Sequence, residues 1–170
     1  MSTIEDYVDV RVPVRTAYNQ WTQFESFPRF MHGVVRVERS QATLIHWVTR
    51  HGGVTREFDA EVVEQRPDER IAWRSLDSPT HSGEVRFHPR GEGETRVTLR
   101  LEFSPAGLVD WAGASSGVLR RRVHGNLECF KQFIEGHGRE TGEWRGEITE
   151  SRVRPDSGQE CPRVPSWPSG

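Results

Sequence analysis

The chain has 170 residues, with 23 Lys+Arg against 25 Asp+Glu and a formal net charge of −2. That balance suits one domain and leaves no cationic surplus for gripping the phosphates of a nucleic acid. No stretch approaches the ~20 apolar residues of a membrane span, which argues against stable membrane insertion. The start, Met1-Ser2-Thr3-Ile4-Glu5-Asp6, is acidic where a signal peptide is basic and then apolar, so the expected location is cytoplasmic. Two cysteines, Cys129 and Cys161, are too few for a disulfide framework and lie outside any CxxC or metal spacing.

In chain order, Tyr7 to Val12 alternates, with Val8, Val10 and Val12 on one face and charge on the other, as a half-buried strand does. Pro13 then presets a helix start, and Val14, Ala17, Tyr18 and Trp21 recur at helical spacing. Phe24, Phe27, Phe30 and Met31 gather around Pro28, which predicts a second short helical turn before Gly33. Six strands follow: 34–39, 44–50, 55–64, 70–75, 83–88 and 95–103. Gly52-Gly53, Pro67-Asp68-Glu69 and Gly91-Glu92-Gly93-Glu94 supply short hairpin turns between them. Such connections favour an antiparallel meander over parallel crossovers. Alternation places Phe58, Ala60, Val62, Ile71, Trp73 and Ser75 on the inner face. It continues there with Val85, Phe87, Val97, Leu99, Leu101 and Phe103, leaving Glu57, Asp59, Glu61, Arg96 and Arg100 outside. A long helix from about Ser116 to Gly138 carries Leu119, Val123, Leu127, Phe130 and Ile134 in one stripe that must cover the sheet. From 146 to 170 the sequence is polar and then Pro-rich without an apolar period, and a disordered tail is expected.

Several motifs dissolve on inspection. Gly113-Ala114-Ser115-Ser116-Gly117 fits the G-x-S-x-G pattern of a hydrolase elbow, but no apolar strand precedes it and no histidine follows on a later loop. Ser115 or Ser116 reads better as a helix N-cap. His46, His51, His81 and His88 show no H-x-H or H-x-x-x-H pair, so no metal is expected. Asn126 stands at the edge of the apolar stripe beside Leu119, Phe130 and Phe133, where an amide needs a partner: a strand end, a water or a ligand. Trp47, Trp73 and Trp111 suit either plain core or an amphipathic cavity wall.

The order of elements, one strand, two small helices, six antiparallel strands and a long C-terminal helix, is that of the α+β helix-grip fold. Three stretches make the likeness specific: Val12-Pro13-Val14 leading to Tyr18-Asn19-Gln20-Trp21 and Phe27-Pro28-Arg29-Phe30; Arg56-Glu57-Phe58-Asp59-Ala60 with Ile71-Ala72-Trp73-Arg74-Ser75; and Asn126-Leu127-Glu128 with Phe130-Lys131-Gln132-Phe133-Ile134-Glu135. On these residues the chain resembles the START-like SRPBCC superfamily, and within it the polyketide cyclase/dehydrase and coenzyme Q-binding group. The likeness spans residues 4 to about 145.

The resemblance implies a seven-stranded antiparallel sheet wrapped around the C-terminal helix, forming a helix-grip domain over 1–145. Between sheet and helix it implies a cavity for a hydrophobic small molecule: a lipid, a quinone or a polyketide-like chain. Trp47, Phe58, Trp73, Ser75, Phe87, Trp111, Val123 and Asn126 are the expected ligand-binding residues. The alternative is a polyketide aromatase/cyclase or dehydratase acting in the same cavity, with His46, Arg74 and His81 as candidate proton donors or acceptors. No cofactor is expected, and the chain is expected to be a monomer or homodimer.

Overall fold

A computed structural model describes residues 2–31, 33–51, 53–76, 81–104 and 116–154. Strand β1 (Ser2–Val10) leads into helix α1 (Val14–Thr22) and a 3-10 helix (Phe24–Arg29). Strands β2 (Val34–Gln41), β3 (Leu44–His51), β4 (Val54–Arg66), β5 (Arg70–Ser75), β6 (His81–Pro89) and β7 (Thr95–Phe103) then follow. Helix α2 (Ser116–His137) and two short strands, β8 (Glu147–Thr149) and β9 (Arg152–Arg154), complete the order. The expected seven strands pair antiparallel in the order β1-β7-β6-β5-β4-β3-β2, and β8 and β9 bring the described sheet to nine. No described helix is long and apolar enough to cross a membrane.

Alternation builds the inner face as the pattern predicts, with refinements. β1 begins five residues earlier than Tyr7, because Ser2 to Val10 pairs residue by residue with Phe103 to Thr95. In β4 the register shifts between Val62 and Glu64, a bulge that turns the strand over. Gln65 rather than Glu64 therefore points inward, opposite Ile71, and is fully buried. β2 is irregular at both ends, with register breaks at Val34/Arg36 and Arg39/Gln41. Opposite Trp73 stands Gly83, and a β-carbon there would lie 2.4 Å from the Trp73 indole. Only glycine leaves the ring room to lie across β6.

α2 lays Leu119, Val123, Leu127, Phe130 and Ile134 against the sheet, each no more than 3% exposed. It stops where Gly138, at φ +71, turns its N–H back to the Ile134 carbonyl at 2.9 Å. The chain then crosses α1 as a strap held by polar side chains. Asn19 Nδ2 donates to Glu140 Oε1 at 2.8 Å, Gln20 Oε1 accepts from the Thr141 N–H at 2.9 Å, and Thr22 Oγ1 accepts from the Trp144 N–H at 3.0 Å. Asn19 and Gln20, both fully buried, are thus satisfied by the strap.

The expectation of a disordered tail from 146 is corrected for its first part. β8 and β9 form a hairpin, Ile148 pairs with Gln65 of β4, and the Ile148 side chain is fully buried. Residues 155–170 lie outside the described residues.

Candidate functional site

Between the N-terminal half of α2 and the curved sheet lies a cavity of about 90 Å³. The sheet contributes Ile45 and Trp47 of β3, Val62 of β4, Trp73 of β5, and Leu99 and Leu101 of β7. Trp21 of α1, Phe24 and Phe27 of the 3-10 helix and Met31 close one side, while Leu119, Arg122, Val123, Asn126 and Leu127 of α2 form the roof. The shape follows from the elements: β-branched and Leu side chains on twisted strands are short, and the bulkier rings cluster at one end.

Those rings interlock. Trp21 meets Phe27 edge to face at 5.3 Å and Phe130 at 5.2 Å, and Phe27 meets Trp47 at 5.7 Å. Such contacts make a stiff wall. Behind it, the Arg39 guanidinium is held between the faces of Phe24 at 4.6 Å and Trp144 at 4.4 Å, and burial pulls its pKa down to about 10. Tyr18 is fully buried, and burial pushes its phenol up to about 12, so it stays neutral. The strap therefore braces the cavity wall through Arg39.

Polar groups on the cavity wall are few. Arg122 and Asn126 lie four residues apart on α2 and both face the cavity. The indole N–H groups of Trp21 and Trp47 are buried within the packing behind the cavity surface, without a hydrogen-bond partner among the described residues. No histidine, carboxylate or hydroxyl side chain belongs to the described lining.

Of the residues expected to bind ligand, Trp47, Trp73, Val123 and Asn126 lie on this wall. Phe58, Ser75 and Phe87 do not. Phe58 stacks flat behind Trp47, with centroids 6.0 Å apart, and abuts His81. Ser75 Oγ accepts the His81 backbone N–H at 2.9 Å, and Phe87 packs edge-on against Tyr18 at 5.4 Å, below the cavity. Trp111 and Ser115 lie outside the described residues.

The candidate proton carriers are also displaced. His46 is on the outer face, where Asp59 Oδ1 lies 2.8 Å from its Nδ1, and this hydrogen bond raises its pKa above the usual histidine value. Arg74 is paired with Glu61 on the same outer face, at 2.9 Å. His81 is buried but off the cavity wall, between the rings of Phe58 and Phe103. Sequence reasoning missed Trp21, Phe24, Phe27 and Met31 as wall residues, and Arg122 entirely. Helical phase was the available signal for Arg122, which lies one residue from Val123 and four from Asn126.

Comparison with known proteins agrees with this geometry. The chain is 49% identical over 149 residues to an uncharacterised 17.2 kDa protein of Streptomyces lincolnensis, covering 87% of this chain and 99% of that one. Among solved structures, a Deinococcus radiodurans protein is 26% identical with a TM-score of 0.64, over 80% of this chain and 99% of that one. The ZhuI aromatase/cyclase of Streptomyces sp. R1128 shares the fold at 16% identity and a TM-score of 0.67, over 84% and 99%. Residues 10–131 match the family model for polyketide cyclase/dehydrase and lipid transport proteins, and the chain, helix-grip in fold, belongs to that family.

Proposed function

We propose that this protein binds a hydrophobic small molecule, ring-containing or polyketide-like, in the cavity between α2 and the sheet. The observation that carries this reading is a wall apolar throughout its described residues except for Arg122 and Asn126, the pattern of a site that buries a ligand body and orients it with few polar groups. At about 90 Å³ the space is smaller than the ~300–1,000 Å³ of typical small-molecule sites. Entry of a ring system therefore requires wall side chains to move, and Met31 and Trp73 are only partly buried.

The test is titration of a panel of quinones, fatty acids and aromatic polyketides, followed by tryptophan fluorescence. Trp73→Ala should weaken binding by ~1–3 kcal/mol through lost contact area, and Val123→Phe, which fills the cavity, should abolish it without unfolding the protein. Absence of binding across the panel, or undiminished binding in Val123→Phe, would overturn the proposal. The family's cyclase and dehydratase chemistry is the second reading. It has weaker support here, since His46 and Arg74 face away from the cavity and His81 lies off its wall. Catalytic consumption of a poly-β-keto substrate would favour it.

A further inference from the structure

This inference rests on the proposed binding role and concerns the chemical class of the ligand. The hydrogen-bonding groups on the described cavity wall are strongly one-sided. Arg122 can only donate and carries a fixed positive charge, and Asn126 offers both a donor and an acceptor. No carboxylate, hydroxyl or imidazole among the described lining residues offsets them.

A purely hydrocarbon ligand would press apolar surface on the guanidinium, and a cationic ligand would be repelled by Arg122. An apolar body bearing acceptor oxygens and a negative charge suits both Arg122 and Asn126.

We infer that the cavity takes an apolar carboxylic acid as its anion, with the carboxylate held by Arg122 and Asn126 at the α2 roof and the hydrocarbon body against Trp73 and the sheet. The arginine fork matches a carboxylate in two-pronged geometry. With five N–H donors, Arg122 can keep a protein neighbour and still present two to a ligand.

The experiment compares 2-naphthoic acid with 2-naphthamide, nearly the same shape and neutral, by titration calorimetry at about pH 7.5, where the acid is ionised. In the native protein the acid should bind about tenfold tighter or more, the size of a charge-assisted hydrogen-bond pair. Arg122→Gln should remove that preference by weakening the acid much more than the amide, and Arg122→Lys should restore part of it.

Equal affinity for acid and amide in the native protein overturns the inference and leaves the binding role standing. So does an acid preference that survives in Arg122→Gln, or failure of both naphthalenes where a neutral quinone binds. Failure of every ligand, the quinones and lipids included, brings down both.

Discussion

The space under α2 is solid at one end and hollow at the other, although the same helix and the same sheet enclose both. Toward the helix C-terminus, Phe130 and Ile134 are fully buried, and Phe130 meets the rings of Trp21 and Phe30, each at 5.2 Å. Toward the N-terminus, Leu119, Val123 and Asn126 face the cavity instead. Hydrophobicity does not distinguish the two ends; shape does. Rings tilted against one another fill the space, whereas short aliphatic side chains on a curved sheet cannot reach the helix.

The sharpest way to break the contrast is to truncate one residue at each end. Phe130→Ala should cost about 3–5 kcal/mol and Leu119→Ala about 2, because at Leu119 part of the space is already empty. Urea unfolding of both variants measures this, and an equal cost would mean that the hollow end is packed like the solid one. Ile148→Ala tests whether the β8–β9 hairpin belongs to the solid end. Burial under β4 predicts a loss of about 2–4 kcal/mol, read as a fall in melting temperature, where a dangling tail would give no change.

Gly83→Ala acts on the hollow end. Its methyl group would drive the Trp73 indole off β6, costing about 1–3 kcal/mol of stability and lowering affinity in the quinone titration. The smallest effect lies outside both ends, at His46. Its hydrogen bond to Asp59 raises the folded-state pKa, so the protonated pair stabilises the protein below the unfolded histidine value near 6.5. That contribution is lost as pH rises through the folded value. The stability difference between native protein and His46→Asn should therefore be largest in mild acid and fade toward pH ~8, within the ~0.2–1 kcal/mol of an exposed pair.

Much of this architecture was readable because its elements obey strict periods. The alternation in Thr95–Phe103 and the four- and three-residue steps of the α2 stripe each leave one arrangement that buries the apolar face. The β8–β9 hairpin was not readable. Its two-residue turn places Glu150 and Ser151 at φ +50 and +62, a conformation usually signalled by Asn-Gly, and its strands are three residues long. The bulge in β4 hid in the same way, since an unbroken period assigns Glu64 the place that Gln65 takes.

The site was legible only in part, because apolar residues that line a cavity and those that fill a core share one sequence pattern. Trp47 and Trp73 were separable from packing no better than Phe58 and Phe87, which turned out to lie behind the wall or below it. Arg122 was concealed by its neighbours: in Arg120-Arg121-Arg122 the run reads as a solvated surface, and only the turn of the helix singles out one of the three.

The irregular strand β2 carries a consequence for how the molecule behaves among its own copies. It ends the sheet, and an end strand offers backbone donors and acceptors to any passing chain. Register breaks at both of its ends and the exposed Arg36–Glu38 pair between them leave no long flat run for another strand to zip onto. A protein that keeps a greasy hollow inside needs such a guarded rim, since fibril growth starts where an unprotected edge meets exposed hydrocarbon.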